Sequence, residues 1–208
     1  MKIIKASTEI LSPINGEEIL KSIEIAGRTC YKSESSITED SSKKFVEMLI
    51  KKGHEAMIEH YNITVKFICD RGVSHEIVRH RIASYAQEST RYCNYNQDKF
   101  GNEITVIKPC FWEEGTDEYE YWLGAMNGAE TMYFTLIKAG AQAQEARSVL
   151  PNSLKTEIVV TMNLREWRHF FKLRTAKVAH PQMQEVAITL FNDLKSKVPV
   201  IFDDIEVK

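Results

Sequence analysis

The sequence predicts an α+β protein folded as one domain, and three observations carry that reading. Apolar residues recur at helical spacing over several long stretches. Four short segments run or alternate as strands do. The two kinds of segment are mixed without the βαβ alternation of a parallel α/β sheet. The 208 residues suffice for one sizeable domain, and no repeat, low-complexity tract or linker divides them. The expected architecture is a small antiparallel or mixed sheet flanked by long helices.

Residues 1–6 (MKIIKA) read as a short strand and Pro13-Ile14-Asn15-Gly16 as a turn. Glu17 and Glu18 then supply first-turn acids to a helix running to about residue 26. Residues 33–42 are polar and loop-like. Phe45, Met48, Leu49 and Lys52 stand at i, i+3, i+4 and i+7, which predicts a helix over 40–52 with Gly53 as its stop. Ile63, Val65 and Phe67 alternate with Thr64, Lys66 and Ile68, the period of a strand, closed by Asp70-Arg71-Gly72. Residues 74–81 read as helix, with Val73 and Ile77 on one side, and 104–107 as a strand closed by Pro109. The longest helix covers 116–139, its buried stripe made by Trp122, Ala125, Met126, Ala129, Met132, Tyr133 and Leu136. Gly140 interrupts it, and a shorter helix over 141–150 stops at Pro151. A strand over 157–162 and helices over 164–173 and 181–197 complete the chain.

Composition narrows the function classes. Lys and Arg total 27 against 29 Asp and Glu, a net charge of −2, so there is no overall field for a polyanion and anionic ligands must be held by local clusters. Cys30, Cys69, Cys93 and Cys110 form no C-x-x-C pair, which removes zinc-ribbon and thioredoxin-like readings. An even cysteine count is compatible with two disulfides, but a chain with 43% hydrophobic residues does not need them. The first twenty residues are broken by charges and Pro13, and no run approaches the ~18 apolar residues of a spanning helix. The expectation is a reduced, soluble, cytoplasmic protein.

The informative segment is 70–92, DRGVSHEIVRHRIASYAQESTRY. Arg79-His80-Arg81 is the densest basic point of the chain. On a regular helix three successive residues project 100° apart and fan out, which suits an extended ligand or two ligands. Taken alone, the triplet reads as a solvated basic patch at a helix end. Ser84, Gln87, Ser89 and Thr90 shift the balance, because hydroxyls and an amide beside forked guanidinium donors match a phosphate and a uracil-like imide edge. His54, His60, His75 and His80 lack the spacing of a zinc site, so no metal is expected. Leu164, Trp167, Phe171 and Arg174 stand at i, i+3, i+7 and i+10, which sets a permanent charge in line with an apolar stripe. Arg174 there is either a snorkelling side chain or a cation awaiting an anion. Arg165 and His169 are i, i+4 neighbours, and Arg147 stands close to Ala143 and Leu150 on a short helix.

Arg79-His80-Arg81, seven residues and then Ser89 resembles the RHRx7S signature of the flavin-dependent thymidylate synthases. The resemblance extends to Gly53–His60 (GHEAMIEH), to 146–151 (ARSVLP), to 163–167 (NLREW) with Leu173-Arg174, and to 179–184 (AHPQMQ), so it spans about residues 26–187. It implies a homotetramer with active sites at subunit interfaces, acting on dUMP with FAD, a methylenetetrahydrofolate donor and NADPH, with no metal and no catalytic cysteine. It assigns FAD contacts to His54, Glu59, Arg79, His80, Arg81, Gln87, Asn163, Arg165 and His169, and dUMP contacts to Glu76, Arg79, Gln87, Glu88, Ser89, Arg91, Arg147 and Arg174. Arg174 is the implied catalytic residue, favouring the N3-ionised form of uracil so that C5 becomes electron-rich. The chain departs from the pattern at Ala56, where some relatives carry Thr, at Glu76, where some carry Gln, and at His169, where some carry Asn. Two rivals are weaker. An RNA uracil methyltransferase would want a broad basic surface. A non-catalytic relative would have no use for Arg147, Arg174 and the whole signature.

Overall fold

The alternation of the long strands dominates the architecture. The structure, a computed structural model, describes residues 1–207. Strands β1 (Lys2–Ile4) and β2 (Ser7–Ile10) are followed by helices α1 (Gly16–Tyr31) and α2 (Ser41–Lys51). Then come β3 (Asn62–Asp70), α3 (Arg71–Ile77), β4 (Ala83–Gln87) and β5 (Thr105–Ile107). The rest is α4 (Asp117–Lys138), α5 (Ala143–Ala146), β6 (Lys155–Asn163), α6 (Leu164–Arg174), α7 (Pro181–Lys197) and α8 (Pro199–Phe202). A four-stranded sheet is ordered β2-β3-β6-β4, and β1 and β5 form a separate parallel pair in which Ile3 faces Val106. The α+β class therefore holds, with a small sheet and helices as expected.

Two compact units are distinguished. The first comprises Met1–Ser7, Phe67–Arg79 and Ala86–Ile158, the second Thr8–Lys66, His80–Tyr85 and Val159–Lys208. The core of the first unit is built around α4, where Tyr119, Trp122, Met126 and Tyr133 pack with Tyr95, Ile104, Val106 and Leu154. Of the expected stripe, Ala125 and Met132 are exposed and Tyr119 takes their place. The helix turns its Tyr119/Trp122/Met126 face inward, and that face is chosen by what it packs on, not by periodicity alone. Trp122 Nε1 also donates to Ser153 Oγ at 3.0 Å.

The second unit is organised by α6. Leu164, Trp167, Phe170 and Phe171 are fully buried, and Phe171 packs edge-on against Phe191 of α7 and Phe202 of α8. Trp167 Nε1 satisfies its hydrogen bond on the Ile63 carbonyl at 3.1 Å. Helices α1 and α2 approach closely at Gly27, where a Cβ would lie 2.5 Å from the Phe45 ring. Gly53 stops α2 with φ +71°, the left-handed conformation the sequence assigned it.

Several expected boundaries move. Helix α1 runs five residues beyond 26, because Ile19, Leu20, Ile23 and Gly27 keep one buried face and Lys32 closes the helix in the left-handed region. The stretch taken as loop over 33–42 contains a 3-10 turn at Glu34–Ser36 and the first residues of α2. The helix expected over 141–150 ends at Ala146 and tightens into a 3-10 turn over Arg147–Val149. Leu150 is extended there (φ −76°, ψ 137°), as a residue before proline must be. Arg147 is thus not carried on a helix face with Leu150.

A buried arginine of α6 forms ion pairs with Asp204 and Glu55. Arg168 is 2% exposed, donates Nη1 and Nη2 to Asp204 at 2.6 and 2.7 Å, donates Nε to Glu55 at 3.1 Å and also bonds the Ile201 carbonyl. Arg168→Ala should lower the unfolding free energy by about 3 kcal/mol, the low end for breaking a buried pair because Asp204 is half exposed. Denaturant melts check it, and an unchanged midpoint would contradict it.

Candidate active site

The signature segment begins with α3. Asp70 caps it, accepting from the Val73 amide at 2.7 Å, and the helix closes at Val78. Arg79-His80-Arg81 therefore does not lie on a helix, as expected from 74–81, but in the turn leading into β4. Tertiary pairing overrides local preference here: β4 must leave in extended form to join β6, so the helix ends early. Local periodicity did not reveal this strand, though Ala83, Tyr85 and Gln87 alternate with exposed neighbours. The triplet still fans out: Arg79 and Arg81 are exposed, and His80 is 4% exposed.

In the second unit His80 is held on both ring nitrogens. Arg174 Nε lies 3.1 Å from His80 Nε2, and His80 Nδ1 lies 2.9 Å from Glu166 Oε1. A guanidinium N–H can only donate, so Nε2 accepts and Nδ1–H donates to the carboxylate; the tautomer follows from the partners. Tyr85 donates its hydroxyl to the His80 carbonyl, and the His169 and Phe170 rings stand 5.6 and 5.0 Å away. Burial pushes the His80 pKa down, Arg174 and His169 add to that, and Glu166 opposes them. The ring is neutral.

Helix α6 supplies most of this array. Asn163 ends β6 and caps α6, its Oδ1 accepting from the Glu166 amide at 2.9 Å. The cap fixes where the helix starts and so which way Glu166, His169 and Arg174 point. Asn163, Arg165, Glu166 and His169 line a cleft of about 410 Å³ with Glu59 and Ile82. Arg165 is 53% exposed and pairs with Glu59 at 2.5 Å. His54 stands apart, exposed, its Nδ1 2.8 Å from the Tyr31 hydroxyl. Ligating atoms of His80, Glu166 and His169 lie within 4.8 Å of one another. The Arg174 guanidinium on His80 Nε2 places a fixed positive charge beside them, which works against a cation at that point.

The first unit carries a different chemistry. Gln87 donates Nε2 to Ser74 Oγ at 2.9 Å and to Thr156 Oγ1 at 3.2 Å, a neutral polar cluster. Arg147, itself exposed, reaches Thr90 Oγ1 at 3.3 Å. Ser89 accepts from the Arg91 amide at 3.3 Å. Glu76 is half-buried on α3, while Arg79 and Arg91 are exposed. Glu88 is engaged internally: Lys155 donates to it at 3.1 Å and the Tyr95 hydroxyl at 3.3 Å, beside a cavity of about 330 Å³. None of the four cysteines is in a disulfide; Cys69 is buried and its thiol pKa is pushed up, so it is a poor nucleophile.

Glu166, Lys155, Thr156 and Tyr85 were not singled out from the sequence. The Asn163-x-x-Glu166 spacing at a helix start was the available signal for Glu166. Because the His80 pKa is lowered in the folded state, the unfolded chain binds the extra proton first as pH falls below its ordinary value of 6.5. Stability should therefore drop from about pH 6.5 downward until His80 itself protonates, and the slope should be shallower in His80→Asn. Urea melts across that window measure it, and equal slopes would contradict it.

Comparison with known proteins places these residues in a family. The model of the family described as "Thymidylate synthase complementing protein" matches residues 14–200. A protein of Pyrococcus abyssi named flavin-dependent thymidylate synthase is 36% identical over 162 residues, covering 77% of this chain and 66% of its own length. Proteins with the same name are 32% identical in Geobacter sulfurreducens over 189 residues (88% and 80%) and 29% identical in Corynebacterium glutamicum over 221 (98% and 85%). The chain thus spans just under two thirds of the Pyrococcus relative and more of the others. The match runs through the capped junction of β6 and α6 and the whole signature turn, and the chain belongs to the thymidylate synthase complementing protein family.

Proposed function

We propose that this chain is a flavin-dependent thymidylate synthase, converting dUMP, methylenetetrahydrofolate and NADPH with a proton to dTMP, tetrahydrofolate and NADP⁺. The family membership supports the methylation of dUMP to dTMP and the use of a flavin. The observation that carries the residue assignment is the fixed guanidinium of Arg174, braced on a buried neutral His80. The family match covers most of both units, which supports reading the chain as one such domain acting in a homotetramer.

The donor set fits FAD. Exposed Arg81 and Arg165 suit the charge of a pyrophosphate, and the cleft lined by Glu59, Asn163, Arg165 and His169 offers polar edges to a ring system. His54, Arg79, His80 and Gln87 complete the cofactor set proposed from the resemblance. When bound, the flavin supplies the hydride and handles the one-carbon unit. Residues of the protein bind, orient and set charge. Arg147, Ser89 and Arg91 supply forked, hydroxyl and backbone donors for the dUMP phosphate, and Arg79 is the further dUMP contact that the resemblance implies. Gln87 and Glu76 supply amide and carboxylate groups for the uracil edge. Glu88 acts through its hold on Lys155, because its carboxylate accepts from Lys155 and Tyr95 and its amide donates to the Glu157 carbonyl. Arg174 favours negative charge on the uracil ring without itself titrating, which makes C5 nucleophilic.

Purified protein should be yellow, and with dUMP, the folate and NADPH it should release dTMP. A colourless protein indifferent to FAD would overturn the reading, and methylation of uracil in RNA but not of dUMP would reassign the substrate. Arg174→Ala should fold and lose about 100-fold or more in kcat, the scale of removing one preorganised donor. Steady-state rates check it; wild-type turnover would remove the activating role.

A further inference from the structure

We propose that Glu166 is a positioning residue for Arg174: through His80 it fixes the one ring tautomer that can hold the guanidinium, and so aims it. The idea rests on the proposed role of Arg174 in dUMP activation. Its physical content is a chain of three groups in the second unit, Glu166 Oε1, the His80 ring and Arg174 Nε, with contacts of 2.9 and 3.1 Å.

Imidazole has two neutral tautomers of similar energy, and only one leaves a lone pair on Nε2. If the proton sits on Nε2, that N–H faces the Arg174 N–H and the two donors repel. The Arg174 Nε then loses the acceptor that sets its direction at this point, and the guanidinium is re-aimed. Glu166 removes the ambiguity, because a carboxylate facing Nδ1 accepts and cannot donate. The ring cannot turn to another partner easily: it is buried, flanked by Phe170, and its carbonyl is bonded by the Tyr85 hydroxyl. Glu166 is itself held, 8% exposed and in the first turn of a helix whose start is fixed by Asn163. The groups facing His80 in this unit are Glu166, His169 and Arg174 from α6 and Tyr85 from β4. Glu166 and Arg174 work in opposite directions on the ring's proton affinity, and burial decides for the neutral form. Only a neutral ring with its proton on Nδ1 satisfies both neighbours.

Two substitutions separate this role from a structural one. In Glu166→Gln the amide can present its oxygen to Nδ1, and with Arg174 donating to Nε2 only that orientation bonds both ring nitrogens, so the Nδ1–H tautomer is kept while the negative charge is lost. In Glu166→Leu the side chain keeps its bulk and loses its acceptor. Ring nitrogens of His80, read by NMR in ¹⁵N-histidine-labelled holoenzyme with His80→Asn as the assignment control, should carry the proton on Nδ1 in wild type and Glu166→Gln. Glu166→Leu should show a mixture or the Nε2–H form. Turnover should follow the tautomer: Glu166→Gln within about threefold of wild type, Glu166→Leu down about 30-fold in kcat with KM for dUMP changed less than about threefold. The acid limb of kcat should move to lower pH in Glu166→Gln, because the group that raises the His80 pKa has lost its charge.

A Glu166→Leu enzyme with wild-type turnover, or one retaining the Nδ1–H form, overturns the proposal. So does a Glu166→Gln enzyme with an unmoved acid limb, which keeps the test alive if the leucine variant does not fold. Failure of the functional reading looks different: wild type itself would then bind no flavin and make no dTMP, while the His80 tautomer would still be measurable.

Discussion

A buried, uncharged imidazole between a carboxylate and a guanidinium is the constraint around which the second unit is arranged. His80 can occupy that place only because the chain leaves α3 early and enters β4 extended, which turns one residue of a basic triplet inward and its two neighbours out. Inside a low-dielectric surround, an imidazolium next to Arg174 would bring two like charges to hydrogen-bond distance. The neutral ring accepts from the guanidinium instead, and the cost of burying a polar ring is met by bonding both nitrogens.

The hand-over from β6 to α6 sets the other side of that array. Asn163 ends a nine-residue strand and caps the helix that follows, so the phase of α6 is fixed at its first turn. From that phase follow the buried face of Leu164, Trp167, Phe170 and Phe171 and the inward aim of Glu166 and Arg174. Arg168, on the same helix, spends its charge on Asp204 and Glu55 and anchors the end of the chain. One eleven-residue helix thus carries core, anchor and chemistry on different sides, a division possible because its strand-derived start allows no slippage.

The two units carry different donors. The first offers neutral hydrogen-bond partners around Gln87 and a cation at Arg147. The second offers the cleft with Asn163, Arg165 and His169 and the braced Arg174. Neutral donors and one guanidinium suit an imide edge and a phosphate; a cleft edged by arginines suits a dinucleotide. The Glu88 carboxylate is engaged by Lys155 and Tyr95, neither of which the motif contains.

Sequence by itself determined the α+β class, the strand β3 from its period-2 alternation, the helical stripe ending in Arg174, the stop at Gly53 and, through the RHRx7S pattern, the chemistry to expect. These are properties of neighbours in the chain, set by backbone geometry and by which faces are apolar. Tertiary structure alone decided that the triplet is not helical, that β4 exists, that Ala125 and Met132 face solvent, that Glu88 is committed and that Glu166 meets His80. Each of these depends on partners far away in sequence: Glu166 lies 86 residues from His80, and Arg174 lies 94 away. Local pattern says which side chains want a partner; only packing says which partner is within 3 Å, because a hydrogen bond is a matter of distance and angle and carries no trace in spacing.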